Sequence, residues 1–71
     1  MAWKYLVEYQ DYSKEWHKYF DIKTTNEETA VNIFKTAFAR ERRLHTQFQI
    51  IRLMARRTES SQWTEVKCDR V

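Results

Sequence analysis

Neither glycine nor proline occurs among the 71 residues of this chain, and cysteine occurs once, as Cys68. At ordinary usage about five glycines would be expected. Their absence removes the phosphate-cradling loops on which ATP-, NAD- and flavin-dependent chemistry depends on the familiar scaffolds, and the strained turn that exposes a nucleophilic serine. It also removes the tightest glycine hairpins, so turns must be built from Asp, Ser, Thr and Asn. One cysteine permits no internal disulfide. With His17, His45 and Cys68 the only nitrogen and sulfur ligands, a closed structural zinc site lacks donors, and no cofactor is expected. Unbroken apolar runs reach only two or three residues, far short of the roughly 20 that a spanning helix needs. The opening "MAWKYLVEYQDY" carries neither the apolar stretch nor the cleavage site of a secretory signal. The expectation is a cytoplasmic protein in a reducing compartment, with no membrane partner.

What the chain has in quantity is aromatic side chains and arginine. A chain this short forms one domain, residues 1–71, and buries only about 60% of the surface its unfolded form exposes. The usual remedies are disulfides, metal, dense aromatic packing or a partner subunit. Three Trp, four Tyr and four Phe supply the packing, each burying roughly 150–250 Å² when enclosed. A homodimer is also expected, because the element pattern leaves one sheet face without a covering helix.

That pattern is legible from periodicity. Residues 2–10 alternate Trp3, Tyr5, Val7 and Tyr9 with mostly polar neighbours, which predicts a strand. After the polar turn "DYSKE", residues 16–23 put Trp16, Phe20 and Ile22 on one face and His17, Tyr19, Asp21 and Lys23 on the other, completing a hairpin. "TNEE" at 25–28 has the spacing of a capping box, with Thr25 accepting from the Glu28 N–H. Ala30, Ile33, Phe34, Ala37, Phe38 and Leu44 then recur at helical spacing, predicting a helix over about 26–43. Residues 47–57 form a strand that is half apolar on both faces, as an inner strand is. One face holds Gln49, Ile51, Leu53, Ala55 and Arg57; the other holds Phe48, Ile50, Arg52, Met54 and Arg56. "TESSQ" turns the chain into a last strand over 63–69. The order is ββαββ: an α+β fold, a four-stranded antiparallel sheet with one helix on one face.

Charge is divided unevenly along this layout. Residues 1–39 carry a net charge of −1, residues 40–57 carry +5 and residues 58–71 carry −1. The middle segment holds six of the seven arginines and one acid, Glu41. Such asymmetry is the electrostatic footprint of a polyanion-binding surface. Arg40, Arg42 and Arg43 at a helix C-terminus also offset the helix dipole, and Arg56 and Arg57 at a strand end discourage aggregation. Arg52 fits neither account. Mid-strand, it needs an acidic or aromatic partner, with Asp21 and Glu65 the candidate acids, or else an open face. On an open face Arg52 and Arg56 would project with Phe48 and one of Tyr5 or Tyr19, cations interleaved with rings as single-stranded nucleic acid requires. Arginine at all six positions favours bidentate contact with phosphate or carboxylate. The candidate binding residues are therefore Arg40, Arg42, Arg43, Phe48, Arg52, Arg56 and Arg57.

Catalytic constellations are thin. His17 and His45 could form the acid–base pair of a small metal-independent ribonuclease, but nothing in the sequence places one within reach of the other. Ser60 and Ser61 are turn residues, and Cys68 has no neighbouring base. Three functions stay in view: a non-enzymatic binder of RNA, DNA or a nucleoprotein complex; a protein-directed inhibitor docking through its aromatic sheet face or an edge strand; and the minimal ribonuclease. The hairpin, the capped helix "TTNEETAVNIFKTAF" and the closing strand pair resemble, in layout, tiny phage-borne accessory proteins that inhibit bacterial defence, anti-CRISPR proteins and phage antitoxins among them. The resemblance implies stoichiometric binding in a host cytoplasm without catalysis.

Overall fold

A computed structural model describes residues 3–44 and 47–71. The elements follow the expected order: β1 (Trp3–Gln10), β2 (Trp16–Ile22), α1 (Glu27–Leu44), β3 (Ile50–Arg57) and β4 (Thr64–Arg70). One antiparallel sheet of four strands results, in the order β2-β1-β3-β4. The two strands richest in alternating large side chains, β1 and β3, lie inside it, and the helix crosses one face.

Alternation in β1 and β3 decides which side chains meet the helix. Tyr5 and Val7 of β1 lie in register with Ala55 and Leu53 of β3, and together with Ile51 and Ile22 they form the sheet's half of the core. Ala30 and Phe34 supply the helix's half. Phe34, Ile51, Leu53 and Val7 are fully enclosed, each contributing roughly 1.5–3 kcal/mol by leaving water. The helical stripe is narrower than its apolar spacing suggests: Ala30, Phe34, Ala37 and Glu41 are buried, whereas Ile33 and Leu44 are exposed. The helix entry is also displaced by one residue from the expected capping box. Asn26 Oδ1 accepts from the Thr29 N–H at 3.0 Å, and the Asn26 carbonyl takes the Ala30 N–H. Asn26 is therefore the cap and Thr25 is not, since Asn is the stronger cap and its own N–H is held by the Thr24 hydroxyl.

Each edge strand carries an extra residue. In β2, Lys18 stands opposite Glu8 but Phe20 stands opposite Val7, which leaves Tyr19 unpaired in a bulge. In β4, Lys67 faces Leu53 and Glu65 faces Met54, leaving Val66 extra. The first bulge overturns the expected faces of residues 16–23. Tyr19 and Phe20 both turn toward the helix, and Trp16 goes to the opposite side.

Without glycine, the β1–β2 turn is assembled from side chains. Asp11 Oδ1 accepts from the Ser13 backbone N–H at 2.9 Å and from the Ser13 hydroxyl, and the Lys14 N–H closes on the Asp11 carbonyl at 3.1 Å. Lys14 sits at φ 65°, a left-handed conformation that costs a side-chain-bearing residue roughly 1–2 kcal/mol. Replacing Lys14 with glycine removes that cost and keeps the N–H, against an entropic loss of roughly 0.5–1 kcal/mol. Lys14→Gly is expected to raise the thermal midpoint by a few degrees in a melt followed by circular dichroism, and a midpoint at or below that of the parent chain would contradict this account.

Candidate nucleic-acid interface

Strand order settles the fate of Arg52. Because β1 lies beside β3, Glu8 stands directly opposite Arg52 on the face away from the helix. Neither Asp21 nor Glu65 takes it. The Arg52 Nε and Nη2 both approach Glu8 Oε1, at 2.9 and 2.8 Å, and the guanidinium lies 3.8 Å from the centroid of the Trp16 ring. Arg56, on the same face, stacks 5.1 Å from Trp63 and donates to the Ser60 carbonyl at 2.6 Å, bracing the turn into β4. Arg57 belongs to the other face, opposite Trp3, whose ring lies 5.4 Å away. Arg52 and Arg56 are thus engaged in bracing the sheet, while Arg57 is exposed and, among the described residues, its side chain makes the Trp3 ring contact but no ion pair or hydrogen bond.

The rings expected beside them are elsewhere. Tyr5 is buried in the core. Phe48 precedes the first residue of β3, so strand alternation does not reach it. It stacks 3.9 Å from Tyr9, meets Tyr19 edge-on and packs against the helix-side core, away from the Arg52 face. The proposed grouping of Phe48 with Arg52 and Arg56 is thereby corrected.

The helix arginines are disposed differently. Arg40, Arg42 and Arg43 are exposed, and so is Lys35. Among the described residues none of the four makes an ion pair or a side-chain hydrogen bond. The one acid that could have neutralised them, Glu41, is turned inward, only 4% exposed, and accepts the Tyr19 hydroxyl proton in a hydrogen bond. That bond, then burial, then the Glu41 charge push the Tyr19 phenol up from its ordinary 10.0, with Arg40 pulling it back. Glu41 lies four residues after Ala37 and seven after Phe34, on the apolar stripe itself. An acid in that row is the signal that could have located it. Its inward turn leaves a strip of Lys35, Arg40, Arg42 and Arg43 on the outer surface of α1, with no carboxylate among them.

Beside this strip a groove of about 480 Å³ runs between α1 and β2, lined by Tyr19, Phe20, Thr29, Asn32, Ile33, Thr36, Ala37 and Arg40. Thr36 and Arg40 also border the shallow depression formed with Lys35, Ala39 and Arg43, so groove and strip are continuous.

The remaining reactive groups are dispersed. His17 Nε2 lies 3.6 Å from Asp11 Oδ2 and its ring lies 5.2 Å from that of Tyr9. His45 lies outside the described residues. Cys68 is exposed opposite Arg52, its thiol raised by partial burial and by Glu65, which lowers its thiolate fraction and hence its reactivity. Among the described residues no three His, Cys, Asp or Glu side chains converge on a metal position, and no helix is long and apolar enough to cross a membrane.

Two outcomes follow for these internal pairs. Arg52→Gln leaves Glu8 without its cation and Trp16 without its cover, and should cost roughly 1.5–3 kcal/mol in urea unfolding; an unchanged midpoint would show the stack to be decorative. A phenol raised in the folded state stabilises the fold fully below pH 10 and loses that contribution as pH climbs through its folded value. Tyr5, raised mainly by burial, acts with the same sign. Tyr19→Phe should therefore lower stability at neutral pH and make the alkaline decline above pH 10 shallower, without abolishing it; a decline as steep as the parent's would sink the assignment. No protein-family model, no curated protein and no solved structure matches the chain, so its function has to be read from this geometry.

Proposed function

We propose that the chain is a non-enzymatic binding protein that grips nucleic acid, free or within a nucleoprotein complex, through the outer strip of α1. The observation that carries this is the inward turn of Glu41: it strips the only acid from residues 29–58 off the surface and leaves Lys35, Arg40, Arg42 and Arg43 exposed and, among the described residues, without an ion pair. The helix dipole accounts for cations in the last turn, here Arg42 and Arg43, but its effect fades within that turn. Lys35 lies beyond its reach. Arginine's planar fork suits phosphate, which it can engage through two parallel N–H donors.

Arg52, Arg56 and Arg57 take a supporting part in this reading. Their removal should act on stability before affinity. The strip should instead behave as a counterion-releasing surface, each neutralised phosphate adding about 0.7–0.9 to the slope of log affinity against log salt. Replacing Arg40, Arg42 and Arg43 together with glutamine should flatten that slope by about 2 and nearly abolish retention of RNA or DNA at ~50 mM salt. Titration of a labelled oligonucleotide at several salt concentrations measures both. A parent chain with no retention at that salt, or a triple variant with an unaltered slope, rejects the proposal.

A further inference from the structure

We infer that the groove between α1 and β2 receives an unstacked base of a single-stranded nucleic acid whose backbone lies along Lys35, Arg40 and Arg43; this rests on the preceding proposal and adds to it the form of the ligand. Three observations converge. The groove and the depression along the basic strip share Thr36 and Arg40, so a phosphate held by Lys35 and Arg40 has its own base within reach of the groove. The groove's floor and walls are apolar and aromatic, with Phe20 and Ala37 half to fully buried and Ile33, at 37% exposure, a large hydrophobe left open to solvent. Its rim is polar and uncommitted: among the described residues the side-chain amide of Asn32 and the hydroxyl of Thr29 make no hydrogen bond.

That combination matches a base in all its parts. A base offers a flat apolar face to Phe20 and Ile33, a hydrogen-bonding edge to Asn32 and Thr29, and a phosphate to Arg40, as unstacked bases are held in single-stranded complexes. An amide side chain pairs with the donor and acceptor edge of a base in two bonds, adenine most readily. A duplex keeps its bases stacked inside and could touch only the strip. The bulge at Tyr19 makes the groove, because it turns two successive rings of an edge strand toward the helix. It also interrupts the outward ladder of β2, so an extended peptide adding to this edge would find its hydrogen-bond register broken. Charge complementarity and that interruption together favour a nucleic acid strand over a peptide as occupant.

The test uses the full chain and a short labelled single strand of mixed sequence, scanned with one abasic site at a time. Base removal leaves every phosphate in place, so the strip's contribution is constant. The inference expects one or two positions at which base loss weakens binding roughly tenfold, about the worth of one stacked base, and a duplex of equal length bound more weakly than the strand. Asn32→Ala, an exposed change that leaves the core intact, should alter base preference at the sensitive position and leave the salt slope unchanged. Uniform tolerance of abasic sites, or a duplex bound as well as the strand with the salt slope intact, overturns the groove while leaving the strip standing. Polyglutamate displacing the strand at equal charge would assign the surface to acidic proteins and overturn it too. Absence of any nucleic acid binding removes the parent proposal and this one with it, and is told apart from the other outcomes by the missing salt-dependent signal.

Discussion

One helix can shield one face of a sheet, and the described residues form only one helix. On the uncovered side β1 and β3 still present Leu6 and Met54, directly opposite each other and each only 8% exposed. Their shelter comes from the flanking register pairs on that face, Glu8 with Arg52 and Lys4 with Arg56, and from the two indoles laid against the arginines. A guanidinium suits this use because it is weakly hydrated and flat. It covers a ring and still points its donors at a carboxylate, a carbonyl or water. A lysine could not lie on the indole in the same way. Arg52 and Arg56 in β3 are thus explained by covering a sheet face with little else to cover it, and the fold does not need a second copy of the chain to withdraw Leu6 and Met54 from water.

The same economy governs the edges. A four-stranded open sheet has two, and each is interrupted by a bulge and marked by paired charges: Tyr19 with Lys18 and Asp21 in β2, Val66 with Lys67 and Asp69 in β4. Such features break the row of unpaired backbone groups along which another strand would add. Docking through an edge strand therefore has less to recommend it than contact through α1. In β2 the irregularity serves twice, since the residue that spoils the ladder also brings Tyr19 to Glu41 and Phe20 to the groove.

Periodicity sufficed for the element order, the antiparallel layout and the inner position of β3, because each rests on alternation that survives without knowledge of partners. What it could not supply was anything that depends on counting residues across strands. The bulges at Tyr19 and Val66 are invisible to a pattern that assumes strict alternation, and that is why Trp16 and Phe20 were expected on one face. Extending the β3 alternation back to residue 48 misplaced Phe48 for a related reason: the strand begins only at Ile50. The demand that Arg52 have a partner was legible, and its identity was not, since Glu8 becomes adjacent only through the order β2-β1-β3-β4. The concentration of arginine was plain in the sequence. Its division into a bracing set and an outward set was not, because it depends on where Trp3, Trp16, Trp63 and Glu41 come to lie.

The helix dipole constrains where an anion can settle on the outward set. Partial negative charge at the C-terminal end of α1, equivalent to roughly half an elementary charge, opposes a phosphate placed beside Arg42 and Arg43 at the terminus itself. Those two arginines are partly occupied in offsetting it. Attraction is least opposed further up the helix, between Lys35 and Arg40, which stand roughly 7.5 Å apart along the axis. That interval is where Thr36 joins the strip to the groove. The electrostatic optimum and the aromatic recess therefore fall at the same level of the helix. A strip serving only to stabilise the helix end would instead gather its cations in the final turn, and Lys35 would have no reason to be among them.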